Sequence, residues 1–254
     1  MGTSREEIDR AARLLARARH VTAFTGAGIS VESGIPPFRG PEGLWSKVDP
    51  IVLDIDYFHR HPLESWKVIK EIFFDFFGKA QPNPAHFALA ELERAGIVKA
   101  VITQNIDNLH QRAGSRTVYE LHGNSRFLVC ERCGTRYPVE EVSLEELPPR
   151  CPRCGTVLKP DFVFFGEQLP ELDYRRAIEE TEVADVFLLV GTTGEIMPAS
   201  TLPVLAKRRG ATIVEVNVAP SNYTESITDI FIREKASVAL PALAEAVQGK
   251  KNGE

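Results

Sequence analysis

The sequence predicts an α/β protein: a mostly parallel sheet with helices on both faces and a smaller inserted unit. Three observations predict it. Short apolar strands alternate with helix-period segments. The polar motifs each follow a strand directly, where open α/β sheets bind their ligands. All four cysteines fall in two close pairs outside that alternation. The length, 254 residues, suits one large domain or about two small ones.

The first helix is expected from about Arg5 to Arg19. Ser4 and Glu7 have capping-box spacing, and Ile8, Ala11, Ala12, Leu15 and Ala18 form an apolar stripe. A strand from Val21 to Phe24 leads into a glycine-rich turn, Thr25 to Gly34. A second helix runs from Pro84 to about Ala95, with Asn83 as N-cap, Pro84 in the first turn and Gly96 as the stop. Strands follow at Val98 to Ile102 and Val118 to Leu121, with the polar run Thr103 to Asp107 after the first. Val183 to Val190 is a further strand, ending at Gly191-Thr192-Thr193-Gly194. A helix ends near Arg209 and Gly210, Thr212 to Asn217 is the next strand, and Ala242 to Val247 is a terminal helix before a disordered tail, Gly249 to Glu254. Two segments break the alternation: the aromatic-rich Pro37 to Pro82 and the cysteine segment Ser125 to Pro160. Both are expected to pack together as a second, smaller domain.

Composition excludes several classes. Hydrophobic residues make up 43% and charged residues 26%, so the chain is neither disordered nor fibrous. A net charge of −5 and a pI of 5.8 argue against a protein built to neutralise nucleic-acid phosphates. The most apolar stretch, Val183 to Val190, is too short for a membrane span and contains Asp185. The N-terminal residues lack the apolar region of a secretory signal. A cytoplasmic protein with no membrane association is expected.

Cys130, Cys133, Cys151 and Cys154 form two C-x-x-C pairs, with Gly134 and Gly155 following each as in a metal knuckle. The spacing reads as one tetrahedral zinc site, and four thiolates leave no open position for water, so the metal is structural. Iron in the same site, two disulfides or a redox C-x-x-C are the alternatives. The Gly26-Ala27-Gly28 turn follows a strand as a pyrophosphate-binding turn should. Val31 stands where a third glycine would complete that fingerprint, and no acidic ribose ligand stands at the usual distance, which disfavours an ordinary hydride-transferring dehydrogenase.

Thr25-Gly-Ala-Gly-Ile-Ser, Gly34-Ile-Pro-Pro-Phe-Arg39, Gln104-Asn-Ile-Asp107, His122-Gly123, the four cysteines, Phe165-Gly166-Glu167 and Gly191-Thr-Thr193 occur in this order. Together they strongly resemble the sirtuin family of NAD-dependent protein deacylases, in the form of bacterial and archaeal members that are little more than a catalytic core. The resemblance runs from about Val21 to Ala236. It implies a Rossmann-like, mostly parallel sheet with a smaller inserted domain carrying a zinc ribbon and a helical module. On that reading 1–36, 83–124 and 161–254 form the NAD-binding domain, and 37–82 with 125–160 the small domain.

The resemblance also implies roles. Ala27 and Gly28 would lie against the NAD pyrophosphate, and Phe38 and Arg39 would come from a loop closing over the cofactor. Asn105, Ile106 and Asp107 would form the nicotinamide pocket, and Gln104 would hold the ribose hydroxyls. Gly191, Thr192, Thr193 and Asn217 would contact phosphate and the adenosine ribose, and Ala236 would lie near adenine. His122 is the candidate general base, with Asn105 as its catalytic companion; the other five histidines read as surface or core. Val163, Phe164, Phe165, Gly166 and Glu167 would form the edge that an acetyl-lysine peptide joins as a strand. In the family's reaction the acyl oxygen attacks the anomeric carbon as nicotinamide departs. The base then helps the ribose 2′-hydroxyl attack, and water releases lysine and O-acyl-ADP-ribose.

Departures from the family pattern are Pro37 before Phe38, Thr193 where serine is commoner, Glu195 after Gly194 and Phe162 in place of a frequent valine. The Tyr-x-x-Arg pair of succinyl-preferring members is missing from the Trp66 to Phe74 region, so acetyl-lysine is expected over succinyl-lysine. Two other functions compete: ADP-ribosyl transfer or NAD hydrolysis in the same pocket, and a zinc-ribbon module binding nucleic acid. The ribbon's six Lys/Arg against five Asp/Glu lack the basic footprint of the latter, so no direct nucleic-acid binding is expected.

Overall fold

The computed structural model describes residues 4–37 and 43–251, the last two by backbone alone. The expected loop residues Phe38 and Arg39, and the tail beyond Lys251, lie outside the described residues. In chain order the elements are α1 (Ser4–Arg17), β1 (Val21–Thr25), α2 (Ile55–Arg60), α3 (Pro62–Ile69), α4 (Pro84–Arg94), β2 (Val98–Thr103), α5 (Leu109–Ala113) and β3 (Val118–Glu120). There follow β4 (Gly123–Val129), β5 (Arg136–Pro138), β6 (Lys159–Phe162), α6 (Glu171–Glu182), β7 (Val186–Val190), α7 (Leu202–Arg208), β8 (Thr212–Asn217), β9 (Ile230–Arg233) and α8 (Ala236–Lys251).

Six strands form one sheet in the order β3-β2-β1-β7-β8-β9, every neighbouring pair parallel. This is a doubly wound order, and the strand sequence reverses between β1 and β7. Both faces are covered. Val21, Ala23, Val186, Leu188 and Val214 pack with α1, α4 and α8 on one side. Phe24, Ile102, Phe187, Leu189 and Ile213 pack with α6 and α7 on the other. Strands buried on both faces tend to read as continuous apolar runs; β7 does so, while β2 carries Lys99 and β8 carries Glu215.

A second sheet, antiparallel and in the order β5-β4-β6, is inserted between β3 and α6. It shares one core with the aromatic segment: Phe58, Trp66, Phe73 and Phe77 pack with Leu128, Leu158, Phe162 and Phe164. The Trp66 indole N–H donates to the Leu158 carbonyl at 2.8 Å, so the largest buried side chain of the helical module also has its polar atom satisfied. Lys70–Phe76 continues α3 as a π-helix.

Several expectations are corrected. The strand foreseen from Val183 begins at Val186, because Val183 terminates α6 and Asp185 turns the chain: its carboxylate accepts from the Arg19 and His20 N–H groups at 2.8 and 3.0 Å. The terminal helix starts at Ala236, ahead of Pro241, and its backbone continues through Gly249 to Lys251. Pro241 lacks an N–H, yet Ala239, Leu240, Leu243 and Val247 are wholly buried, and that packing outweighs the lost bond. The Gly-rich turn continues as a 3₁₀ helix, Ala27–Ser33, ended by Gly34 in the left-handed region.

Candidate functional site

A cavity of about 1160 Å³ opens at the carboxyl ends of β1, β2, β7 and β8, at the reversal point, and extends to the second sheet. Its floor is a glycine contact. Gly28 N–H donates to the Gly191 carbonyl at 2.8 Å and Gly26 N–H to the Val190 carbonyl at 3.0 Å. A Cβ on Gly28 would lie 2.6 Å from Gly191 Cα, and one on Gly191, where φ is +61°, would lie 2.4 Å from Ile29 N. Only glycine at both positions lets the loops after β1 and β7 meet.

Gln104 and Thr192 bind the strand ends together. Gln104 Nε2 donates to Thr192 Oγ1 at 3.1 Å, while Gln104 N–H donates to the Thr25 carbonyl at 3.0 Å. Asn217 Nδ2 donates to the Thr192 carbonyl at 3.0 Å. Ala27, Thr193, Asn217 and Ala236, the first residue of α8, line the same cavity.

His122 sits between β3 and β4, and its Nδ1 lies 2.9 Å from the Gln104 carbonyl. A carbonyl can only accept, so Nδ1 carries the proton and Nε2 keeps a lone pair. Burial lowers the imidazole's pKa, and the bond to Gln104 partly opposes this. The next residue fixes the backbone: Gly123 has φ +69°, and a Cβ there would lie 2.3 Å from the Asp161 carbonyl oxygen. His122 is thereby pressed against the chain that leaves β6, and Val163 N–H donates to the His122 carbonyl at 2.9 Å.

Asn105, only 6% exposed, commits its amide hydrogens to the Gly26 carbonyl at 3.1 Å and Ser30 Oγ at 3.2 Å. Asp107 stands further back. Its carboxylate accepts from Ser30 Oγ at 2.7 Å and Leu109 N–H at 3.0 Å, and burial raises its pKa. Asp107 lines a smaller neighbouring cavity of about 570 Å³, whereas Asn105 and Ile106 line the large one.

Residues 163–167 continue β6 irregularly along the other wall. Phe165 is paired to the helical module: its N–H donates to the Leu53 carbonyl at 2.8 Å, and its carbonyl accepts from Ile55 N–H at 3.0 Å. Phe165 is 43% exposed, and its ring lies 6.2 Å from that of Trp45. Phe164, one residue earlier, is 1% exposed and packs into the core on Phe58 and Phe162. Among the described residues no protein group bonds to the Val163 carbonyl or to the backbone of Gly166.

The four cysteine Sγ atoms lie within 4.8 Å of one another, with separations of 3.4 Å for Cys130–Cys154 and 3.8 Å for Cys133–Cys151. A tetrahedron of zinc–sulfur bonds of about 2.3 Å has edges of about 3.8 Å, so the set fits zinc. The two knuckles repeat: Gly134 N–H donates to the Cys130 carbonyl and Gly155 N–H to the Cys151 carbonyl, each at 2.8 Å. Thr135 and Thr156 hydroxyls lie 3.3 and 3.4 Å from Cys133 and Cys154 Sγ. Tyr137 Oη, 3.2 Å from Cys151 Sγ, stabilises that thiolate and pulls its pKa to about 6.

Sequence reasoning missed a buried polar cluster behind Asn105. Ser30 Oγ is 3.4 Å from His86 Nε2, Thr25 Oγ1 is 2.9 Å from His110 Nε2, and the two imidazoles lie 5.0 Å apart. Neither ring is exposed, and burial lowers both pKa values, that of His86 to about 4. Helical spacing could have found His86, because it shares the buried face of α4 with Leu89 and Ala90. Trp45 and Leu53 were missed as well, and no local pattern marks them.

A doubly wound sheet with a glycine crevice at its reversal point, beside a four-cysteine ribbon, defines a dinucleotide-binding α/β protein with a structural metal knuckle. The chain belongs to the Sir2 family, whose model matches residues 26–198. It is 46% identical over 246 residues to NAD-dependent protein deacetylase 1 of Pyrobaculum aerophilum, covering 96% of each chain. A solved Sir2 homologue–NAD complex is 41% identical, with TM-score 0.88, covering 95% of this chain and 94% of its own. A Sir2–p53 peptide–NAD⁺ complex is 38% identical, with TM-score 0.84, covering 95% and 97%.

Proposed function

We infer that the chain is an NAD-dependent protein-lysine deacetylase that releases nicotinamide, O-acetyl-ADP-ribose and free lysine. The observation that carries this is the pairing of His122 Nδ1 with the Gln104 carbonyl. It leaves a neutral Nε2 in a cavity that has a glycine floor at one end and, at the other, peptide backbone without partners among the described residues. The named relatives support the reading through their NAD dependence and, in one, a bound peptide.

When bound, NAD supplies an anomeric carbon that becomes electrophilic as nicotinamide leaves. The Gly26–Gly28 loop and Gly191 let backbone approach the pyrophosphate, with Thr192, Thr193 and Asn217 beside it and Ala236 at the adenine end. Gln104 holds ribose hydroxyls. Asn105 and Ile106 form the nicotinamide wall, and Asp107 acts through Ser30, which ties it to the Asn105 amide. Phe38 and Arg39, outside the described residues, are proposed to close over the cofactor. His122 Nε2 takes the proton of a ribose hydroxyl, a step worth about 10²–10⁴-fold in rate. The peptide pairs with residues 163–167, with Phe165 and Val163 flanking the acyl-lysine and Phe164 holding the edge from the core. Zinc on the four thiolates has a closed shell and takes no part in the chemistry.

We also propose 1–36, 83–124 and 161–254 as the NAD-binding domain, and 37–82 with 125–160 as the small domain; β4 begins two residues before 125–160, and β6 ends two residues past it. Acetylated proteins are the proposed partners, without nucleic acid or membrane, and the cytoplasm the proposed compartment. No helix among the described residues is long and apolar enough to cross a membrane.

Product masses test this. Wild-type protein with acetyl-peptide and NAD is expected to give O-acetyl-ADP-ribose, and His122→Ala none, with zinc content unchanged. Free ADP-ribose or ADP-ribosylated protein as the main product would replace deacetylation with NAD hydrolysis or ADP-ribosyl transfer.

A further inference from the structure

We propose that Lys159 is a positioning residue for the acyl-peptide. With Glu167 it sets the geometry of residues 163–166 and cancels the charge beside them. The proposal rests on the reading of that segment as the peptide's pairing edge.

Lys159 is a lysine with almost no solvent, 4% exposed. Its ammonium has three acceptors for three protons: the Pro160 carbonyl at 3.0 Å, the Phe162 carbonyl at 2.7 Å and Glu167 Oε2 at 3.0 Å. It also lies 4.3 Å from the centre of the Phe164 ring. The Glu167 oxygen that meets the ammonium accepts from Phe164 N–H at 2.7 Å as well, and Glu167 N–H returns to the Phe164 carbonyl at 3.0 Å. One buried cation thus closes the turn from Phe164 to Glu167 through a single carboxylate. What this turn presents outward is Gly166, at φ +92°, and the Val163 carbonyl, the groups without protein partners among the described residues.

The cost of burying an ammonium argues for a purpose. Burial lowers the Lys159 pKa, Glu167 opposes that, and Glu131 and Asp161 add further negative charge nearby. An apolar side chain would fill the same space without that penalty, but it would leave Glu167 an unpaired carboxylate beside the peptide. Backbone pairing confers loose sequence preference only when no unpaired charge stands next to it.

The test uses full-length zinc-replete enzyme and three acetyl-peptides: one with acidic flanking residues, one with basic flanking residues, and one N-methylated on the backbone. Lys159→Met is expected to raise the peptide KM about tenfold with little change in the NAD KM, and to shift preference toward basic flanks; Lys159→Arg recovers part of the loss. Glu167→Gln keeps an acceptor for Phe164 N–H, leaves Lys159 uncompensated and is expected to shift preference toward acidic flanks. High salt should weaken both shifts. Folded, zinc-replete variants with unchanged preference, or with peptide and NAD KM rising together, would overturn the proposal. Wild-type enzyme that accepts the N-methylated peptide as well as its parent would overturn the edge reading itself. Discrimination against that peptide with Lys159→Met unaltered would overturn Lys159 alone.

Discussion

His122 donates from Nδ1 to the main-chain carbonyl of Gln104 across 2.9 Å, and this bond settles which nitrogen can act as a base. Gln104 follows β2 and His122 follows β3, so the bond joins the ends of two adjacent parallel strands. Burial lowers the imidazole pKa. As the proposed base, His122 works when neutral, so kcat/KM should persist as pH falls through 6.5 and decline only below it. A pH profile whose acid limb lies above that value contradicts the assignment.

Gly123 is the hinge of that placement. A methyl group there would meet the Asp161 carbonyl at 2.3 Å in a backbone conformation that L residues rarely adopt. Gly123→Ala should cost at least about 2 kcal/mol of stability and displace His122 from β6. Urea unfolding measures the first effect, and kcat measured well below the unfolding midpoint measures the second.

The buried imidazoles of His86 and His110 make stability fall in acid. Unfolded histidine takes up protons near pH 6.5, whereas folded His86 does so near 4 and burial holds His110 well below its ordinary value. The unfolded state therefore binds more protons as pH drops, and stability present above pH 6.5 is lost on the way to 4. His86 alone accounts for about 3 kcal/mol across that range. Urea unfolding between pH 7.5 and 5.5, with zinc content monitored, should show the decline, and His86→Gln should lessen it. A flat wild-type curve would show that the rings titrate normally.

Tyr137 breaks the near-symmetry of the metal knuckles by its contact with Cys151 Sγ. Removing that hydroxyl should loosen the metal, since partners of the ligands commonly account for about 10–100-fold in affinity. Zinc release to a chelator, followed with a metallochromic dye, should be faster in Tyr137→Phe than in wild type. Equal rates would leave Tyr137 as packing only.

The sheet was legible because its signals are local. Asn83 and Pro84 start α4, Gly96 ends it, and β7 is five apolar residues in a row. The four cysteines and the glycine pair were legible because their chemistry permits few alternatives. β9 was not, because four residues between a turn and a polar pair carry no periodicity. Nor was the cluster of Ser30, His86 and His110. Those residues lie on three different elements, and only the crossing of α4 and α5 behind the Gly26 loop brings them together. Lys159 read as part of a charged ribbon, and its burial follows from the turn at Glu167, beyond the reach of a local pattern.

A crystal structure of the protein with NAD and an acetyl-lysine peptide bound together shows whether the two meet beside His122. The peptide is expected to pair along residues 163–167 with the acetyl oxygen facing the nicotinamide ribose, and His122 Nε2 to lie within hydrogen-bond reach of a ribose hydroxyl. A peptide seated elsewhere, or a ribose remote from His122, would contradict the proposed function.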